Sequence, residues 1–179
     1  MNYVTDQDLA AGLVNGETWA LQMLIDGYHR PLFRYLWQAG GSREDAEDLS
    51  TQALLRVRGD IKGYRGGSLR AWIFKVAYRE LLRHRRRQAL ARLWQTTPEQ
   101  HEPSTDDALV IAEALSRIPL EQRSAFLLTE AEGLSVEEAS LALGIPIGTV
   151  KSRCHTARQK LRKILGPTYG ETHAEPATE

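Results

Sequence analysis

Apolar residues recur along this chain at three- and four-residue spacing from Leu9 to Leu165, with no sustained alternation in twos. That pattern predicts helices almost throughout and no sheet. Thr5 is placed to cap a first helix carrying Leu9 and Leu13, broken at Gly16. A second carries Trp19, Met23, Leu24 and Tyr28 and continues past Pro31 through Leu32, Tyr35 and Leu36; Pro31 either kinks it or starts a new segment. Gly40-Gly41 ends that stretch. Ser42 with Asp45 opens a third helix bearing Ala46, Leu49, Ala53, Leu54 and Val57. Residues 59–67 read as a glycine-containing loop around Ile61 and Tyr64. Ser68 then caps a long helix with Leu69, Trp72, Ile73, Val76, Ala77, Leu81 and Leu82 on one side.

The pattern fails between Gln95 and Asp106, where Thr, Pro, Glu, His and Ser replace apolar positions and Pro98 and Pro103 disfavour helix. It resumes from Asp107 to Ile118, and Pro119 begins another helix through Phe126, Leu127 and Leu128. Ser135 and Glu138 form a Ser-x-x-Glu capping box, Val136, Ala139 and Leu143 share a face, and Gly144 is a C-terminal cap. After Gly144-Ile145-Pro146 comes an amphipathic run ending near Leu165, with Gly166-Pro167 as its stop. The expected fold is all-α: two small helical domains, residues 1–92 and 108–166, joined by a flexible acidic linker, 93–107, and followed by a disordered tail, 167–179.

The run from Gly148 to Leu161 is the most telling. Val150, Cys154, Ala157 and Leu161 form one apolar stripe, while Lys151, Arg153, Arg158, Lys160, Arg162 and Lys163 lie off it with no acid among them. A basic amphipathic helix alone is commonplace. Here a capped helix precedes it, a short turn joins the two, and the small pair Ala139-Ser140 sits where two helices must cross closely. Together these read as a helix-turn-helix whose second helix enters the DNA major groove.

Charge changes the picture only when it is localised. Lysine plus arginine equal aspartate plus glutamate at 23 each, a poor match to a nucleic-acid binder. Yet residues 62–92 hold ten basic side chains against one acid, Glu80, while acids gather at Asp6 and Asp8, at Glu44-Asp45 and Glu47-Asp48, from Glu99 to Asp107, and in the tail. Local sign decides where a phosphate backbone docks. Within the basic stretch, Tyr64 to Ala77 runs aromatic, basic and glycine into a helix that ends in Arg83-His-Arg-Arg-Arg87. Aromatic rings stack bases, worth ~1–3 kcal/mol each, while cations hold the strand.

Some chemistry is unsupported. The single cysteine, Cys154, lies on the apolar stripe and reads as a small buried hydrophobe. The five histidines show no metal-ligand spacing. No run approaches the ~20 apolar residues of a membrane span, and the N-terminus lacks a basic-then-apolar leader, so a cytoplasmic chain without a cofactor is expected.

Three segments carry a resemblance to the bacterial sigma factors of the extracytoplasmic-function (ECF) type, in the sigma-70 family. They are Asp45-Ala-Glu-Asp-Leu49 with Leu54-Leu-Arg-Val57; Tyr64 to Ala77; and Ile118 to Arg123 with Gly133 to Glu138, Gly148 to Arg153 and Ala157-Arg158. The resemblance implies a protein that binds core RNA polymerase, directs it to promoter DNA, and is held inactive by an anti-sigma factor. It assigns polymerase contact to Asp45, Glu47, Asp48 and Gln52. It places Lys62, Tyr64, Arg65, Arg79, Arg83 and Arg86 at the −10 element and its opened strand. On the last helix Lys151, Ser152, His155 and Thr156 face base edges at −35, with Arg153, Arg158 and Lys160 on phosphates. The chain departs from the family at Thr51-Gln52, where Gln-Glu is usual, at Arg79 and Arg83, where Asn and Asp are common, and at Thr156, often Arg. Two rival readings remain: a free-standing regulator independent of polymerase, and an enzyme using Asp45, Glu47 and Asp48 as metal ligands.

Overall fold

The computed structural model describes residues 4–40, 42–92 and 107–166. Helices α1 (Asp6–Asn15), α2 (Thr18–Gln38), α3 (Arg43–Asp60) and α4 (Leu69–Arg92) make the first domain. Helices α5 (Asp107–Ser116), α6 (Leu120–Phe126), α7 (Val136–Leu143) and α8 (Ile147–Leu165) make the second. No strand occurs among the described residues. The expected linker and tail fall largely outside them.

Helix starts follow the sequence closely. Thr5, Ser42 and Ser135 each accept from the backbone N–H three residues on, and the Asp8, Asp45 and Glu138 carboxylates accept back from the capping residue. Such reciprocal caps satisfy amide donors the helix itself cannot. Ser68 accepts from the Ala71 amide as expected, and Asp6 on α1 reaches the Leu69 amide at 2.8 Å, giving α4 a second cap from a distant segment. Helix α2 runs through Pro31 as one element, so no new segment begins there. The stretch read as a loop after Gly59 is shorter than expected: α3 continues to Asp60 and a 3₁₀ turn, Ile61–Gly63, buries Ile61 beneath α1. The helix begun at Leu120 widens into a π-helical turn at Leu127–Ala131.

One apolar core runs through both domains. Leu24, Leu32, Leu36, Leu49, Ile73 and Leu81 centre its first half; Ala125, Leu127, Ala139 and Val150 continue it in the second. Tyr35 and Phe74 meet edge to face at 5.7 Å in its middle. The domains are thus packed on each other, chiefly through α4 against α7 and through α2 against α5 and the π turn.

Candidate nucleic-acid interface

Helix α8 is set by its buried stripe. Val150, Cys154 and Ala157 are buried and Leu161 is half-buried, as the spacing predicted. Cys154 Sγ lies 3.4 Å from Thr129 Oγ1 on the π turn, a packing position. Gly144, at φ +68°, provides the left-handed turn between α7 and α8, and Ser140 Oγ donates to the Ile145 carbonyl at 2.6 Å, pinning that turn. The consequence is an outward row of Lys151, Ser152 and His155, all exposed, with Thr156 half-buried at its edge.

Hydrogen bonding limits what this row can read. Ser152 Oγ donates to the Thr149 carbonyl and Thr156 Oγ1 to the Ser152 carbonyl. Both hydroxyls have spent their proton and present lone pairs, suited to the amino groups of cytosine or adenine. Lys151 offers only donors, suited to guanine O6 and N7. His155 Nε2 lies 2.9 Å from Gln159 Nε2, which can only donate, so His155 is held as the acceptor there.

The expected phosphate contacts are less available than the sequence suggested. Arg158 pairs with Glu130, Lys160 Nζ donates to Gln122 Oε1 at 2.9 Å, and Arg153 is half-buried close to Tyr78 of α4. Both acceptors sit on the segment before α7, which no periodicity on α8 reveals.

In the first domain, Lys62, Arg65, Arg79, Arg83 and Arg86 are exposed, and so are Arg85 and Arg87. The arginine-rich end of α4 therefore faces outward. Glu80, the lone acid of that stretch, is buried and takes Arg83 at 2.6 Å and Arg56 at 3.4 Å. Arg83 is thereby half-neutralised, whereas Arg79 and Arg86 have no ion pair among the described residues. The loop beside them is ordered by its own contacts. Tyr64 Oη donates to the Gly67 carbonyl at 2.6 Å, its ring meets Trp72 edge on at 5.9 Å, and Arg65 folds onto the Lys62 carbonyl at 2.6 Å. Gly66 and Gly67 take φ of +93° and +88°. Partial desolvation and the nearby Asp6 carboxylate raise the Tyr64 phenol, keeping it a neutral hydrogen-bonding ring.

The acids of α3 divide. Asp45 is held by its cap and lies 3.3 Å from His84, and Glu47 lies 3.3 Å from His29. Asp48 and Gln52 are exposed. Gln52 borders a shallow groove with Arg56, Gly59, Asp60 and a strongly exposed Leu55. Sequence reasoning missed Leu55; its signal was an apolar residue beside Leu54 but one step off the α3 stripe. No cluster of three metal-binding side chains occurs among the described residues, so Asp45, Glu47 and Asp48 do not converge on a metal site. No described helix is long and apolar enough to cross a membrane.

Comparison with known proteins covers both domains. Residues 24–91 match the family model for sigma-70 region 2, and residues 108–161 match that for sigma-70 region 4. The chain is 31% identical over 170 residues to the ECF RNA polymerase sigma factor SigM of Mycobacterium tuberculosis, covering 90% of this chain and 85% of that one. It is 32% identical over 166 residues to SigL of the same organism, covering 87% and 94%. Among solved structures it is similar to the sigma factor RpoE of Bartonella quintana, in complex with the anti-sigma factor NepR. That match is 26% identical with a TM-score of 0.69, covering 80% of this chain and 95% of that one. It shares its fold with CnrH, solved with the cytosolic domain of CnrY, at 24% identity and a TM-score of 0.73, covering 89% and 96%.

Proposed function

Because this chain belongs to the ECF RNA polymerase sigma factors, which direct promoter-specific transcription, we propose how its two domains divide that work. The first domain grips core polymerase through α3 and reads and opens the −10 element along α4. The second lays α8 in the −35 major groove. The observation that carries this reading is the double face of α8: Val150, Cys154 and Ala157 buried, with Lys151, Ser152 and His155 turned outward together.

Roles follow from what each side chain still has to offer. Lys151, Ser152, His155 and Thr156 specify bases; Arg153, Arg158 and Lys160 position the helix on phosphates, Arg158 and Lys160 once Glu130 and Gln122 yield. Arg79, Arg86 and Arg83 follow the −10 strand. Tyr64, Lys62 and Arg65 sit on the loop beside which a base can be extruded, at an unstacking cost of a few kcal/mol. Asp48, Gln52 and the apolar Leu55 form the polymerase-facing side of α3, with Asp45 and Glu47 fixing the helix through His84 and His29. A further partner is an anti-sigma factor, a reading supported by the Bartonella relative, whose structure is a complex with NepR.

Co-elution with core polymerase tests the assignment. Wild type forms a stoichiometric complex; Asp48→Arg and Leu55→Asp each weaken it at least tenfold without loss of helicity. A chain that binds promoter duplex but not polymerase would instead be a free-standing regulator.

A further inference from the structure

The loop assigned to base extrusion is shaped by its own contacts but placed by its ends. Gly66 and Gly67, at φ +93° and +88°, leave the chain pliant between them, so what grips Ile61 and Leu69 sets where the Tyr64 ring stands. Both ends meet α1. Ile61, 3% exposed, is buried against α1 by the 3₁₀ turn, and the Tyr64 amide donates to its carbonyl at 2.9 Å. At the far end the Leu69 amide donates to Asp6 Oδ2 at 2.8 Å. Leu69 is fully buried, so water has no ready access to replace that acceptor.

Asp6 stands where two helices begin. It is the first residue of α1, whose own start is capped separately by Thr5 and Asp8, and its carboxylate lies at the first amide of α4. Two positive helix ends repel when they meet, and one carboxylate between them serves both. The same carboxylate faces the loop ring: the Tyr64 phenol is raised first by partial desolvation and then by Asp6. Tyr28 on α2 is raised in the same way, by burial and then by Asp6. The Tyr64 ring in turn ties the loop to α4, with Oη 2.6 Å from the Gly67 carbonyl and Trp72 edge on at 5.9 Å. Helix α1 lies outside the residues 24–91 that match sigma-70 region 2, and it carries none of the side chains assigned above to DNA or polymerase.

We propose that α1 is the buttress of the base-extruding loop and that Asp6 is its positioning residue: by fixing the start of α4, Asp6 fixes the Tyr64 ring that an unstacked base of the −10 strand meets. This rests on the role given to that loop above. Extruding a base costs unstacking energy, which a preformed site returns. A loop loosened at one end is ordered only when the base arrives, and that ordering lowers the population of the opened state. Asp6 acts through the loop, so its loss shows in strand opening and spares the binding of polymerase.

The test uses the full chain bound to core polymerase, on a promoter recovered by run-off transcription. A 2-aminopurine in the −10 element reports unstacking, and the same promoter pre-opened by mismatches across −10 serves as the second template. Asp6→Ala should slow opening of the duplex about fivefold, the loss of one helix cap. It should bind polymerase and transcribe the pre-opened template within about twofold of wild type. Asp6→Asn keeps an acceptor for the Leu69 amide and should restore opening to within about twofold. Tyr64→Ala measures the loop's own contribution, and adding Asp6→Ala to it should slow opening no further. Wild-type speed in Asp6→Ala, an equal defect on both templates, weakened polymerase binding, no rescue by Asp6→Asn, or a further loss in the double variant would each overturn the proposal. If Tyr64→Ala opens the duplex as wild type does, the reading of the loop fails; a defect in Tyr64→Ala without one in Asp6→Ala sinks the buttress alone.

Discussion

Glu130 stands between the recognition helix and the DNA backbone in an energetic sense, and its removal should strengthen promoter binding. Its carboxylate holds the Arg158 guanidinium, with both side chains nearly half exposed at 41% and 48%. A pair so exposed contributes at most ~1 kcal/mol, because water and salt screen it. Glu130→Gln gives up that pairing and frees Arg158 for a phosphate. The expected gain in affinity for a −35 duplex is therefore bounded at about fivefold near 0.1 M salt. Salt dependence is the sharper readout. Each neutralised phosphate contributes ~0.9 to the slope of log K against log salt. Because Arg158 leaves Glu130 in the wild-type complex, Glu130→Gln should raise K with the slope kept, whereas Arg158→Ala should flatten the plot by ~0.9. Fluorescence anisotropy from 50 to 200 mM salt measures both, with a scrambled duplex as control. If Glu130→Gln and Arg158→Ala leave slope and affinity where they were, Arg158 does not touch the backbone and the orientation given to α8 is wrong.

Other expectations follow from the same geometry. Lys151→Ala and His155→Ala should relax base preference within the −35 element, about 1–3 kcal/mol at the affected base pair, in a competition assay over all single substitutions. Ser135→Ala removes the Oγ that accepts from the Glu138 amide and should cost ~1 kcal/mol, a fall of a few degrees in Tm, while the Glu138 carboxylate keeps its bond from the residue 135 amide. Glu138 accepts from Ser68 Oγ and the Ser135 amide, which hold its carboxyl below the ordinary glutamate range. A depressed carboxylate stabilises above its unfolded pKa of ~4.3 and loses that contribution as pH falls through the lower folded value. Wild type should thus lose urea resistance more steeply than Glu138→Gln below about pH 4.3, and parallel curves would contradict the assignment.

What could be read from the sequence was local. Ser42 with Asp45 and Ser135 with Glu138 are capping boxes because both partners lie within one helical turn, so spacing alone identifies them. The α8 stripe is equally local, and its burial fixes which residues face outward. Contacts between distant segments left no such trace. Arg34 and Glu132 are 98 positions apart, and Glu132 before Gly133 looks like any acidic turn residue. Asp6 reads as a first-turn acid of α1, yet it also caps α4. Glu80 reads as a lone anion in a basic stretch, and only the fold shows it buried between Arg56 and Arg83. The same limit explains Arg158 and Lys160. Their facing was legible, but their internal partners lie on a π turn and on α6, outside any helical period.

Run-off transcription with purified core polymerase on a genomic fragment library, with start sites mapped, tests the central claim most directly. Addition of this chain should produce discrete starts, each preceded by one −10-like and one −35-like element at constant spacing, and Lys151→Ala should alter only the upstream element. Transcription that stays unspecific, or discrete starts that share a −10 element but no upstream one, would contradict the division of labour between the two domains.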